Sequence, residues 1–349
     1  MNRFSRREYL ALLLSSSAVA GKRQLGGSPV ISVQDFEQYP AVLTPAGDFF
    51  VRNHFALPDI DPGTWSLHIG GLVTQPKTLS LAELRAGKQR TVSSLLECAG
   101  NGVGVGAVGC AQWEGVSLGE LVRACGIAAD ARYVRLTGAD GGREPDAPAV
   151  QYSRCLSLDD ATRPGTLLAL GMNGAPLEAE HGFPARVIVP GRYGMDSVKW
   201  LRSVEALAEP DDSFYMTQRF RRVHHGAAGQ PVGKIRVKSV IVKPESNTAL
   251  RGQSLEAGGY AWSGAEAVQK VEVRLDRGPW RPARLLSAPE PLTWVPWAIS
   301  LRLDQPGVHS VESRATASGG ETQPEQRESS RDDDYELNHV QNVRFFTRP

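Results

Sequence analysis

Thr91–Gly115, TVSSLLECAGNGVGVGAVGCAQWEG, is the stretch that decides how the chain is read. It opens as an apolar, β-leaning run and then presents one thiol, Cys98. Six glycines follow among small residues: Gly100, Gly102, Gly104, Gly106, Gly109 and Gly115. A strand that ends on a thiol, with backbone beyond it free to approach a ligand closely, predicts a cofactor seat. Gly104–Gly109 has the spacing of a dinucleotide fingerprint, but Cys110–Gly115 is poor helix sequence and no strand–helix–strand repeat surrounds it. Nicotinamide and flavin binding are therefore set aside.

Two short helices frame this stretch. Ser80-Leu-Ala-Glu83 and Ser117-Leu-Gly-Glu120 both have the capping-box spacing, and Gly126 suits the end of the second helix. Strands are predicted at Trp65–Ile69, closed by a Gly70-Gly71 turn, and at Tyr133–Thr137, with Asn173-Gly174 as a hairpin signal. From Lys234 onward, strand follows strand. Val271, Val273 and Leu275 alternate up to Asp276–Pro279, and Trp297, Ile299, Leu301 and Leu303 alternate up to Asp304–Gly307. A polar loop over 317–334 and a last strand around Val343–Phe346 complete the pattern of a β-sandwich of immunoglobulin type.

The length of 349 residues predicts two domains, and 41% hydrophobic with 22% charged residues is a normal globular balance. A formal net charge of +1 argues against nucleic acid as a partner. The N-terminus has a basic start, an apolar run from Tyr9 to Leu14 too short to span a bilayer, and small residues at Ala18-Val19-Ala20. Ser5-Arg6-Arg7-Glu8-Tyr9-Leu10 reads as a twin-arginine export signal, which predicts a periplasmic or otherwise exported protein that crosses the membrane folded, with its cofactor in place. In such a compartment Cys98, Cys110, Cys125 and Cys155 can form two disulfides, in any of three connectivities. None has CxxC or haem-attachment spacing.

Polar residues gather at three further places. Phe49–Phe55 sets Arg52, Asn53 and His54 between aromatic anchors, a grouping able to bind an oxyanion or a heterocycle. His181–Gly191 and Arg192–Leu201 place His181, Arg186, Ser197 and Lys199 around a buried-looking strand, and Arg and Lys are natural partners of phosphate. The adjacent His224 and His225 sit in a basic connector and are read as solvated, because neighbours on a strand point apart.

Taken together, FFVRNH (49–54), ECAGNG (97–102), GCAQWEGVSL (109–118), HGFPARVIVPG (181–191) and SVKWL (197–201) resemble the sulfite oxidase family of molybdenum–molybdopterin oxidoreductases, in family order. The resemblance implies an α+β chain: signal and linker at 1–27, a mixed molybdopterin-binding catalytic domain at 28–215, a connector at 216–233, and an immunoglobulin-like dimerisation domain at 234–349. It implies that Cys98 is the metal ligand and that Arg52 lies beside the metal and the substrate oxyanion. Asn53, His54, Asp140, His181, Arg186, Ser197 and Lys199 would hold the pterin and its phosphate. The implied reaction oxidises sulfite to sulfate and passes electrons one at a time to an external acceptor such as a cytochrome c, since the chain has no haem motif of its own. A homodimer, or a complex with an electron-transfer subunit, is expected.

Two departures from animal and plant sulfite oxidases bear on the substrate. Gly102-Val103 stands where those enzymes carry an arginine after AGN, and Tyr215 lies several positions before their active-site tyrosine. An arginine of the Arg219–Arg222 cluster is a candidate to take over anion binding. Two other readings stay open: a related molybdopterin enzyme acting on a carrier-bound sulfur intermediate or an S- or N-oxide, and a secreted β-sandwich binding or scaffold protein.

Overall fold

The structure, a computed structural model, describes residues 43–348 apart from Val105 and Asp146. The stretch read as an export signal lies outside the described residues. Among those residues, no helix is long and apolar enough to cross a membrane. Strands dominate, with a few short helices between them.

The N-terminal unit is built from two sheets. In the first, β1 (Ser66–Gly71), β2 (Lys77–Ser80), β5 (Tyr133–Arg143), β6 (Ala149–Ser157) and β10 (Leu201–Leu207) are ordered β2-β1-β10-β5-β6. Only β1 and β10 run parallel in it. The second comprises β3 (Gln89–Glu97), β4 (Val108–Ser117), β7 (Leu167–Met172), β8 (Ala175–Pro176) and β9 (Arg186–Ile188), with β4 and β9 both paired to β7. Leu67, Ile69, Val134, Leu136 and Val204 of the first sheet share one core with Leu95, Cys110, Val116 and Leu168 of the second. Successive strand residues face opposite ways, so Leu96, Ala111 and Trp113 enter a separate cluster behind the second sheet, which Phe49 closes. Burial on both faces explains why the β3–β4 sequence is apolar without a clean alternation.

Of the six glycines in the opening stretch, Gly109 and Gly115 lie on β4, not in the loop. A Cβ at Gly115 would stand 2.0 Å from the Leu168 carbonyl oxygen, so strand packing, and not ligand approach, requires that glycine. The loop glycines belong to a β-hairpin in which Glu97 pairs with Val108 across antiparallel strands. No phosphate-cradling helix follows them.

Helix α1 (Leu81–Ala86) has the full reciprocal capping box at Ser80 and Glu83. Helix α2 (Leu118–Arg123) has only half of one: the Ser117 side chain accepts from Glu120 N, but the Glu120 carboxylate pairs with Arg90 instead of turning back. Gly126 takes the left-handed φ of +69° expected beyond a helix end. Asn173 and Gly174 both have positive φ and close the β7–β8 hairpin. The Gly70-Gly71 turn does not form there, because β1 continues through both residues in register with β10. Helix α3 (Leu158–Thr162) and the one-turn α4 (Phe214–Thr217) complete the unit.

A small ribbon, β11 (Arg221–Arg222) with β12 (Gln230–Pro231), leads into two sheets packed face to face. The first holds β13 (Lys238–Lys243), β15 (Ser254–Trp262), β18 (Arg284–Leu285) and β19 (Trp294–Arg302). The second holds β14 (Ala249–Arg251), β16 (Val268–Leu275), β17 (Arg281–Pro282), β20 (Gly307–Ala317) and β21 (Gln341–Arg348). Between them lie Ala261, Val271, Val273, Val295, Trp297, Val311 and Phe345. Alternation on β15 and β19 sends Tyr260, Trp262 and Trp294 the other way, into the core of the N-terminal unit. The sandwich thus packs the outer face of one sheet directly against that unit.

All four cysteines are free thiols. Cys110, Cys125 and Cys155 are buried packing residues, and burial pushes the Cys110 thiol up to about 12. The disulfides allowed at the sequence level do not form. His224 and His225 lie 3.3 and 2.7 Å from the carboxylates of Glu328 and Asp332.

Candidate active site

Cys98 follows directly on the end of β3. Its backbone N–H donates to Ala107 O at 2.9 Å and its carbonyl accepts from Asn101 N at 2.8 Å, so the turn is closed on both sides of the thiol. Burial pushes the thiol's pKa up, while the Gly100 N–H and the Arg52 charge favour the thiolate. Two residues on, Gly100 is exposed and a Cβ there would meet nothing within 4 Å.

His54 is stacked on Tyr152 at 5.1 Å between ring centroids, with Tyr215 at 5.0 Å and Phe220 at 5.6 Å. Burial, reinforced by the charges of Arg52, Lys199, Arg219 and Arg154, pushes its pKa down to about 3, so the ring is neutral. A neutral imidazole among cations can accept a hydrogen bond from a ligand, which an imidazolium cannot.

Asp140 reaches the site by strand periodicity. On β5, Val134, Leu136, Gly138 and Asp140 are buried in alternation, so the carboxylate points inward with the core residues. Its Oδ1 has no hydrogen-bond partner, and burial raises its pKa to about 6. A Cβ on Gly138 would come within 2.6 Å of that oxygen and 2.9 Å of Lys199 O.

Lys199 donates to Glu180 O at 2.9 Å and to Asn53 Oδ1, and its ammonium lies 4.3 Å from the Trp200 ring centre. Burial, with Arg186 nearby, lowers its pKa to about 7. Arg186 donates to His181 O and Ser197 O, each at 3.0 Å, and stacks 5.1 Å over Trp113. Its Nε is buried without a partner, and burial lowers its pKa to about 9. Ser197 Oγ accepts from Val189 N at 3.1 Å. His181 Nε2 lies 3.0 Å from Ala46 O and its ring meets Phe49 edge-on, so part of its role is to anchor the segment that carries Arg52–His54. The fold thus gathers Arg52, Asn53, His54, Asp140, Arg186 and Lys199 into one network that Arg52 joins to Cys98, with Ser197 and His181 bound to Arg186 through their carbonyls.

Tyr215, which the sequence placed too early for the family's tyrosine, and two residues that sequence reasoning passed over, Glu144 and Tyr152, complete the surroundings. Tyr215, although early in sequence, joins the His54 stack, and its hydroxyl donates to Glu144 Oε1 at 2.6 Å. The other Glu144 oxygen takes Arg219 at 2.8 Å. Tyr152 donates to Met195 O at 2.8 Å. Tyr152 lies on β6 in a run that is buried on both faces from Tyr152 to Leu156, so no alternation singles it out, and Glu144 lies in a loop and carries no local signal.

The donor set fits a pterin phosphate carrying a thiolate-bound metal. A buried acceptor and a buried donor without partners suit a heterocycle edge, because buried polar groups need hydrogen bonds. Arg186, Lys199 and Arg52 suit phosphate, and a thiolate suits molybdenum. Residues 54–215 match the family described as the oxidoreductase molybdopterin binding domain, and residues 230–332 the Mo-co oxidoreductase dimerisation domain. Chicken (Gallus gallus) sulfite oxidase is 30% identical over 81% of this chain and 68% of its own length.

The chain belongs to the sulfite oxidase family.

Sulfite oxidase of Arabidopsis thaliana is 29% identical over 82% of this chain and 84% of its own. Among solved structures, the sulfane dehydrogenase SoxCD from Paracoccus pantotrophus superposes with a TM-score of 0.80 at 25% identity, covering 88% of this chain and 82% of that one. As a family member the protein is a molybdenum oxidoreductase with a molybdenum–molybdopterin cofactor, and the scaffold reading falls. The C-terminal sandwich corresponds to the family's dimerisation domain.

Proposed function

We propose that the protein is an exported sulfite dehydrogenase that oxidises sulfite to sulfate and delivers electrons singly to an external acceptor such as a cytochrome c. The observation that carries this reading is the cluster of cations, Arg52, Lys199 and Arg219, around the neutral His54 beside Cys98. Such a cluster attracts a small dianion into a site of low dielectric, where its charge counts for more than in water.

In this reading Cys98 ligates molybdenum, and Asn53, His54, Asp140, His181, Arg186, Ser197 and Lys199 hold the pterin and its phosphate. The cofactor, when bound, supplies the two-electron couple and the oxygen-transfer chemistry. The chain's own residues draw in the anion, orient it and handle protons. Sulfite and water give sulfate, two protons and two electrons, so a base must be at hand. Asp140, whose pKa burial raises to about 6, can take up a proton near neutrality. The electrons leave for two equivalents of a one-electron acceptor. Export by a twin-arginine signal, a periplasmic location, an immunoglobulin-like form of the sandwich, and a homodimer or complex with an electron-transfer subunit belong to the same proposal.

One observation favours a second reading. The Tyr215 hydroxyl is taken up by Glu144, and glycine and valine follow AGN, so two anion contacts of animal and plant sulfite oxidases are missing at their usual places. With the likeness to a sulfane dehydrogenase, this favours a sulfur atom carried on a larger partner as substrate. The deciding assay is sulfite-dependent reduction of cytochrome c or ferricyanide by protein with about one molybdenum per chain. Turnover with free sulfite supports the first reading; full metal loading without it removes that reading and leaves the second.

A further inference from the structure

The residues flanking Cys98 are held by the C-terminal sandwich. Glu97 is fully buried, and its Oε1 takes Lys238 Nζ at 2.5 Å and Asn101 Nδ2 at 3.0 Å. Its Oε2 takes the indole N–H of Trp262 at 2.9 Å. Lys238, with 1% of its side chain exposed, comes from β13, and Trp262 from the end of β15. On the other side of the thiol, Ala99 O accepts the backbone N–H of Glu336 at 2.8 Å. Three residues before it, Leu95 N donates to Leu292 O at 2.8 Å.

Both backbone partners adopt left-handed conformations, Leu292 with φ 68° and Glu336 with φ 53°. Such conformations are costly for residues with side chains and persist only where surrounding structure over-determines them. Glu336 is so held: its Oε1 accepts Gly233 N at 2.8 Å. Further along the hairpin loop, a Cβ on Gly104 would meet Gln341 Nε2 at 2.4 Å, so the sandwich also lies against the loop's tip.

We infer that the sandwich is a positioning element of the catalytic centre: Lys238 and Trp262, through Glu97, set the direction and depth of the Cys98 thiol. Adjacent residues at a strand end point to opposite sides. Fastening Glu97 toward the sandwich therefore turns the Cys98 side chain to the other side of the strand end, where its backbone is held by Ala107 O and Asn101 N. The buried carboxylate cannot relax outward without abandoning its counter-ion, which makes the fastening stiff. Lys238 and Trp262 both hydrogen-bond Glu97, and the Lys238 charge in addition favours the Cys98 thiolate. This inference rests on the proposed role of Cys98 as metal ligand and adds the reason a second domain is needed for it.

The test uses the full-length, cofactor-loaded protein and the variants Trp262→Phe, Lys238→Met and Lys238→Arg. Four quantities are read: molybdenum per chain, kcat, KM, and the paramagnetic resonance of the half-reduced metal. Trp262→Phe keeps an aromatic ring and removes only the indole donor. It is expected to lower kcat roughly 10-fold, within the range seen for residues that orient metal ligands, with KM within about twofold because the anion's contacts are unchanged. Its resonance is expected to shift. Lys238→Met lowers kcat further, and Lys238→Arg restores most of it. Should Lys238→Met fail to fold, Trp262→Phe and Lys238→Arg carry the comparison. Loaded variants with wild-type kcat and an unaltered resonance overturn the inference, as does a fall in kcat without a spectral shift. Wild-type protein without molybdenum, or Cys98→Ser with an unchanged resonance, would instead remove the ligand assignment.

Discussion

Asp196→Ala is the perturbation that best tests whether the scaffold behind the site is dry. Asp196 is fully buried one residue before Ser197, and it stands between two arginines. Its Oδ1 accepts from Arg154 Nε at 2.8 Å and its Oδ2 from Arg192 Nε at 2.6 Å. The two arginines are not equivalent. Arg192 is 17% exposed and has a second carboxylate in Asp160 at 3.1 Å, so it keeps a partner when Asp196 is removed. Arg154 is only 2% exposed, and its other hydrogen bond goes to the Tyr215 carbonyl. Alanine leaves that guanidinium buried without a counter-ion, at a cost of about 3–5 kcal/mol. For a domain of this size that is a fall in Tm of about 6–20 °C. Asp196→Asn retains one oxygen for Arg154 and turns its amide toward Arg192, so the loss is about 1.5–3 kcal/mol, the worth of a charged hydrogen bond. Arg154→Met/Asp196→Leu, with no buried charge left over, recovers most of the stability lost in Asp196→Ala. Differential scanning calorimetry of the four proteins at pH 7.5 measures this order. A fall below about 3 °C for Asp196→Ala would show that water reaches Arg154 and that the pair is not desolvated.

The other expectations follow from single contacts. Cys98→Ser should abolish turnover and most molybdenum retention while leaving the circular dichroism spectrum unchanged; wild-type turnover would end the ligand assignment. Arg186→Met removes a buried guanidinium whose Nε has no protein partner, and should lower cofactor content about 10-fold or more by elemental analysis; undiminished content would place the cofactor elsewhere. His54 has a folded pKa near 3 against an ordinary 6.5, so the unfolded chain binds the extra proton between those values. Its stabilising contribution is therefore complete above pH 6.5 and is lost as pH falls toward 3. Between pH 8 and pH 5 this amounts to at most about 2 kcal/mol, less the screening of a partly exposed ring, and His54→Phe should flatten that limb of the urea-denaturation profile. Parallel limbs for the two proteins would refute it.

What the sequence determined by itself was whatever depends on neighbours a few residues apart. The Ser80 capping box and the Asn173-Gly174 hairpin are set by local hydrogen bonds and turn geometry, whereas the strand predicted over Tyr133–Thr137 runs on through Arg143, and only that extension aims Asp140 inward. The ordered motifs from FFVRNH to SVKWL likewise carried the family and the position of Cys98. Local rules failed where a distant strand intervened: β10 drew Gly70-Gly71 into the sheet, and Arg90 took the carboxylate that Glu120 would have turned back to its cap. Tertiary structure alone decided what stands behind the thiol. Glu97 stands at the end of one predicted strand and Lys238 in the strand-rich stretch after Lys234; they are 141 residues apart. Nothing in either segment requires the other until both are buried. A buried carboxylate must then find a cation, and the packing of Trp262 and Tyr260 into the N-terminal core brings Lys238 to it.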